Sequence, residues 1–192
     1  AVYHHLTLSG GSAKTLPAGV TTVNGNLTLS TGGTSATLAA DLTIGGNLLI
    51  NSSTTLDVSA SNYATNVGGN WTGSGTFTPH SGTVTLQGTG AQNVNNGSNS
   101  FYNLVLNNAA GATLVTNNAT VNNVLTLTSG KVTTSAKILI IGSGGSISGA
   151  SATNYVNGNL QKAFATSGSP QSFTFEIGDA TQIDLGSGPL DA

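Results

Sequence analysis

The chain has 192 residues, 37% of them hydrophobic and only 5% charged, with four Lys, no Arg, no Cys and a formal net charge of -2. Ordinary soluble domains carry about 25% charged residues, so this surface must be solvated by hydroxyls and amides, as in secreted and cell-surface β proteins. The same numbers exclude a phosphate-binding nucleic-acid partner, an anionic membrane surface, disulfide staples and thiolate metal sites, and no apolar run reaches the ~20 residues of a membrane span.

Short alternating strands begin at once. Leu6 and Leu8 form the first L-x-L pair, and the pair returns at an equal step as Leu27 and Leu29 and again as Leu48 and Ile50. Around the second pair the string V-N-G-N-L-T-L-S occupies residues 23–30, and variants recur as I-G-G-N-L-L-I-N at 44–51 and V-G-G-N-W-T-G-S at 67–74. Within 27–47, further strands fit at 36–38 and 42–44, separated by Thr31-Gly32-Gly33 and Ala39-Ala40-Asp41. Three short strands per repeat predict a three-sided coil, because such a unit cannot bury its apolar face alone and must stack on copies of itself. Gly, Asn, Ser and Thr interrupt any 3.6-residue pattern, which sets helical repeats aside.

The period breaks at 76–100, where T-F-T and T-V-T-L flank Pro79-His80-Ser81-Gly82. A hairpin leaving the stack and an irregular coil both fit. Spacing favours the coil, since Leu86 precedes Leu104 by slightly less than one repeat. Phe101-Tyr102-Asn103-Leu104 then restarts the array as Tyr3-His4-His5-Leu6 starts the first, and the step from Leu104 to Leu125 equals that from Leu6 to Leu27. A longer echo joins the halves: Leu6, Leu16, Val23 and Leu27 recur 98 positions later as Leu104, Leu114, Val121 and Leu125. The corner string returns twice more, as V-N-N-V-L-T-L-T at 121–128 and V-N-G-N-L-Q-K at 156–162.

The predicted fold is therefore all-β, a parallel β-helix (β-solenoid) of ~21-residue, three-strand coils. Residues 1–162 form the solenoid, in two related arrays at about 3–75 and 101–162 around the irregular stretch 76–100. Residues 163–192 form a short irregular β tail or cap, the start of another β domain, or an intersubunit strand. Roughly nine coils at about 4.8 Å each give a rod about 40 Å long. Leu6, Leu27, Leu48, Leu104 and Leu125 are the expected structural ladder. Asn26, Asn47, Asn70 and Asn159 are the expected corner ladder, each amide bonding its copies above and below. Asn24-Gly25, Gly45-Gly46 and Gly68-Gly69 are expected to turn the corners through positive φ. Phe173, Phe175 and Ile177 alternate in F-T-F-E-I-G-D and form a candidate assembly strand.

From residues 101–106 followed by 121–127 onward, the chain resembles the repeat regions of large bacterial surface proteins. These are the β-helix repeats of secreted, often type IX-exported proteins and, more distantly, the G-N-L-T-L units of filamentous-haemagglutinin-like adhesins. The resemblance covers about residues 3–162 and implies a stalk, adhesin or fibre subunit.

Candidate chemistry is sparse. Asp41 and Asp57 occupy different parts of the unit, while Glu176, Asp179, Asp184 and Asp191 crowd the tail. Glycosidic cleavage needs paired carboxylates or an equivalent base, so no catalytic residue is assigned and the chain reads as non-enzymatic. His4 and His5 are adjacent, which on a strand sends them to opposite faces, and His80 reads as part of a turn. No metal ligand and no cofactor are assigned. Trp71 reads as a core ladder residue, with Tyr63, Tyr102 and Tyr155 near corners. The outward positions Thr7, Thr28, Leu49, Val105 and Thr126 are too mixed for an ice-binding array. The expected function is a structural or adhesive element, extracellular or at the cell surface, with a self-assembling filament subunit as one form of it. A carbohydrate-binding face is the alternative, with polysaccharide lyase or hydrolase further behind. Expected partners are a second copy end to end, neighbouring β domains of a longer protein, or surface glycans, with no nucleic acid and no membrane insertion. The absence of an initiator Met or signal pattern at Ala1 reads as a processed chain or one cut from something longer.

Overall fold

The computed structural model describes residues 1–30 and 32–165. Every strand pairing among them is parallel, and the strands stack as eight coils of a three-sided β-solenoid. Eight coils, one fewer than the rough count from sequence, place the first and last rungs about 34 Å apart at the usual strand spacing.

Face one is built from Val2–Tyr3, Thr22–Val23, Leu42–Ile44, Thr65–Val67 and Thr83–Leu86, then from 103–106, 124–127 and Ser146–Ser148. Face two runs through Leu6–Leu8, Leu27–Leu29, Leu48–Ile50, Trp71–Gly73, Gln92–Val94 and Ala112–Leu114, and ends on the starts of the strands Val132–Ile141 and Val156–Lys162. Face three begins with Ala13–Leu16, Ser35–Leu38, Thr55–Asp57 and Thr76–Thr78. Its later rungs are the first residues of Ser100–Asn107 and Ala119–Ser129 and the last of Val132–Ile141 and Val156–Lys162. In the first four coils a turn separates every strand. In the later coils these long strands bend round a corner with irregular register instead.

Most strands bury alternate residues, as inward Leu27 and Leu29 flank half-buried Thr28. Inward side chains stack on their equivalents one coil away and fill the interior, which is a single apolar cluster. Where aliphatic columns give way to rings, Trp71 packs edge-on against Phe77 and Phe101 with centroids 4.9 and 5.4 Å apart.

Residues 76–100 remain in the stack. Val84 registers with Thr65 on one side and with Leu104 on the other, and Val94 with Trp71 and Leu114. The irregularity is one of coil length. Along the registered series Val23, Ile44, Val67, Leu86, Leu106 and Leu127, the step is longest from Ile44 to Val67 and shortest from Val67 to Leu86. Corners absorb the difference: 58–65 fills between Asp57 and Asn66 what 38–42 fills between Thr37 and Thr43. Ser59 and Asn62 adopt φ of 67° and 63° in that longer corner.

The five expected ladder leucines separate into two columns. Leu6, Leu27 and Leu48 stack on face two, continuing into Trp71, whereas Leu104 and Leu125 stack on face one between Val84 and Ile147. The echo between the two arrays is not a whole number of coils. It advances four coils and two of the three sides of a fifth, so equivalent residues land one face back. Leu16 on face three thus maps to Leu114 on face two, and Val23 on face one to Val121 on face three. The outward positions regroup in the same way: Thr7, Thr28, Leu49 and Thr72 belong to face two, Val105 and Thr126 to face one.

Candidate functional site

The corner between faces one and two carries the most regular polar array of the described residues. The Asn26 backbone N–H donates to His5 Nδ1 at 2.9 Å. The Asn47 N–H donates to Asn26 Oδ1, the Asn70 N–H to Asn47 Oδ1 and the Asn93 N–H to Asn70 Oδ1, each at 2.8 Å. The ladder therefore runs from side chain to backbone, in place of the amide-on-amide stack expected. An Asn one residue before each strand can reach the next coil's N–H while its own N–H bonds the coil before, so each rung satisfies a donor that would otherwise lack a strand partner. His5 and Asn93, not recognised as members from sequence, are its first and last members. Their signal was spacing: His5 lies 21 residues before Asn26, and Asn93 lies 23 after Asn70.

Asn159 stands elsewhere. It begins the face-three portion of the last described coil, where its N–H donates to Thr134 Oγ1 at 2.6 Å and its Nδ2 to the Lys137 carbonyl at 3.0 Å. The V-N-G-N-L string thus joins face one to face two at 23–27 and face two to face three at 156–160, while its V-N-N-V-L variant joins face three to face one at 121–125. It encodes a corner and has no fixed place in the coil.

The corner glycines do not use positive φ. Gly25, Gly45, Gly46, Gly68 and Gly69 are absent from the residues in that region. What they lack is room. A Cβ on Gly69 would lie 2.6 Å from Asn47 Oδ1 and from the Gly46 carbonyl carbon, and one on Gly68 would lie 2.5 Å from the Gly45 oxygen. Each corner sits so close to the preceding one that backbone meets backbone.

Stacking also brings together groups far apart in sequence. Asp57 Oδ1 accepts from the Ser59 N–H at 2.7 Å and lies 2.9 Å from His80 Nε2, 23 residues away. Both side chains are about one-third exposed, where an ion pair contributes about 1 kcal/mol or less. Asp41 Oδ1 accepts from the Ala64 N–H at 2.8 Å. Both carboxylates are thus engaged in inter-coil or turn hydrogen bonds. His4 and His5 lie at a corner and not on a strand, with ring centroids 4.4 Å apart. Trp71 is buried, Tyr63 is half-buried against the core, and Tyr102 is half-buried at the register shift between Phe101 and Asn103. The half-buried Tyr155 ring carries the Lys131 ammonium 4.6 Å from its centroid.

A second polar cluster is buried where corners lengthen. Gln92 and Asn108, both nearly inaccessible, join through Asn108 Nδ2 to Gln92 Oε1 at 2.9 Å, and Gln92 Nε2 reaches the Val67 carbonyl at 3.0 Å. On the last described coil, Lys162 Nζ donates to the carbonyls of Gly142 and Gly145 at 2.6 Å and of Ser143 at 3.1 Å. Desolvation by burial lowers the Lys162 pKa from the ordinary lysine value. Among the described residues no group of three or more His, Cys, Asp or Glu is placed to hold a metal ion. Phe173, Phe175 and Ile177 lie outside the described residues, as do Glu176, Asp179, Asp184 and Asp191.

Comparison with protein-family models, with curated proteins and with solved structures gives no match.

Proposed function

We propose that this chain is a non-enzymatic structural and adhesive rod of a cell surface, of the kind found in the repeat regions of secreted bacterial surface proteins. The observation that carries this reading is the use of its polar groups. The corner asparagines, Asp41, Asp57, Gln92 and Asn108 are engaged in hydrogen bonds that hold coils and turns, whereas a hydrolytic site needs carboxylates facing a substrate. The outward side of face two supports the same reading. It presents Thr7, Thr28, Leu49 and Thr72 in one column over the first four coils and Asn93, Thr113, Thr133 and Asn157 in the neighbouring column over the later ones, uncharged throughout. Such a face packs against neutral polymers or neighbouring β domains without desolvating charge.

The test is a surface-display assay. Beads coated with the chain are expected to adhere to a panel of neutral polysaccharides and matrix proteins, and to lose at least part of that adhesion when Thr28, Thr72 and Thr113 are changed together to Glu. Release of soluble sugar products in proportion to protein would overturn the non-enzymatic reading. Adhesion indifferent to the face-two variant would overturn the adhesive one.

A further inference from the structure

Two features of the first coil are incompatible with a similar coil laid before it. The first is Lys14. It registers with Ala36, and through Ala36 with Leu56 and Phe77, so it occupies the inward column of face three, whose next three members are buried. Its neighbour in the same strand, Leu16, registers with Leu38 and is buried in the same way. Lys14 itself is half-buried, and its Nζ donates to the Ser12 carbonyl at 3.2 Å. Another coil laid on this rung would enclose the ammonium in the apolar interior. An inward-pointing charge is a device by which sheet edges resist further pairing, and a buried unpaired charge is strongly unfavourable.

The second feature is the corner His4-His5. Later coils place Gly45-Gly46 and Gly68-Gly69 at this corner, and those residues must lack a Cβ because the preceding coil's corner fills the space. Gly25 obeys the same rule against the first coil, since its Cβ would collide with the His4 carbonyl and the His5 ring. His4 stands in this glycine place, since its carbonyl accepts the Gly25 N–H as the Gly25 and Gly46 carbonyls accept those of Gly46 and Gly69; it carries a full, exposed side chain, so it tolerates no such corner above it. Among the described residues, the other lysine in an inward column is Lys162, which registers with buried Ile141 on the last described rung.

We infer that the first rung is a built stop: Lys14 within the column and His4 at the corner close this end of the rod to another coil of the same kind. Coil-on-coil stacking of a second copy at this end, one form of the filament expected from sequence, is thereby disallowed. A partner here must meet the edge with polar groups directed at the axis.

A grafted coil tests this in the intact chain. A copy of residues 22–42 joined directly to Val2 places a complete coil in register before the first, because Val2–Tyr3 and 43–44 share the partner strand Thr22–Val23. In the otherwise unchanged protein, hydrogen exchange by mass spectrometry is expected to find the graft unprotected. With Lys14→Ala and His4→Gly together, the graft is expected to exchange about a hundredfold more slowly or better, as stacked strands do. A graft equally protected in both backgrounds, or in neither, would overturn the inference.

Discussion

At Gly69 two opposite effects compete, and a distance decides between them. Its φ is not positive, so Gly→Ala there would ordinarily stabilise by about 0.4–1 kcal/mol through the unfolded chain. The new methyl, however, would stand 2.6 Å from Asn47 Oδ1 and the Gly46 backbone, and such overpacking costs about 1–3 kcal/mol. Gly69→Ala is therefore expected to destabilise by about 2 kcal/mol in a urea titration, whereas a gain would place the corners further apart than described. Thr65 offers the reverse case. It is fully buried in the column between Leu42 and Val84, and its Oγ1 has no hydrogen-bond partner among the described residues. Since a buried unsatisfied polar atom costs about 1–3 kcal/mol, Thr65→Val is expected to raise stability by about 1 kcal/mol. A loss of stability in the same titration would mean that the hydroxyl is satisfied.

The rung is the unit on which strand-level arguments turn. Leu27 is wholly inaccessible and Thr28 beside it faces out. Leu27→Asp is expected to cost more than about 3 kcal/mol by burying a carboxylate without a partner, and Thr28→Asp less than about 1 kcal/mol. Equal effects in thermal melts would reverse the assignment of the two faces. This alternation was legible in the sequence, because L-x-L pairs at a constant step state both the strand and its stacking partner. The column assignment across the two arrays was not legible, because sequence similarity marks a corner and all three corners can be made by V-N-G-N-L or its near variants. Only the strand pairings show that Leu104 has moved one face from Leu6. The corner ladder was half legible for a related reason. Its Asn members repeat as residue types, but His5 fills the acceptor's place with different chemistry and Asn159 repeats the type in another corner. Asp57 and His80 lie one long coil apart, a spacing that the shorter neighbouring coils conceal.

For the whole molecule, stability is approximately a sum over coils and their interfaces. Deleting residues 27–47 removes one full turn and brings Asn26 to Leu48, its registered equivalent to Leu27. The shortened chain is expected to unfold cooperatively with an m-value lower by about one-eighth. Deleting 33–42 instead removes a side of the prism and is expected to abolish cooperative unfolding. If both deletions behave alike, the coil is not the unit of this fold. The same periodic build explains why so little chemistry is exposed: a chain with 5% charged residues that uses its amides to join coils presents a neutral surface.

The central claim is the register of the stack, including the one-face displacement of the second array, and pairwise cross-linking measures it most directly. The chain has no cysteine of its own, and outward neighbours on adjacent rungs lie within the Cα separation of about 4.4–6.8 Å that a disulfide spans. Cysteine pairs at 28 and 49 on face two, 85 and 105 on face one, and 113 and 133 on face two join registered partners and are expected to oxidise readily in the folded protein. A pair at 28 and 43, closer in sequence but on different faces, is expected to remain reduced. Cross-linking at 28 and 43, or failure at 85 and 105 with success at 28 and 49, would contradict the stack.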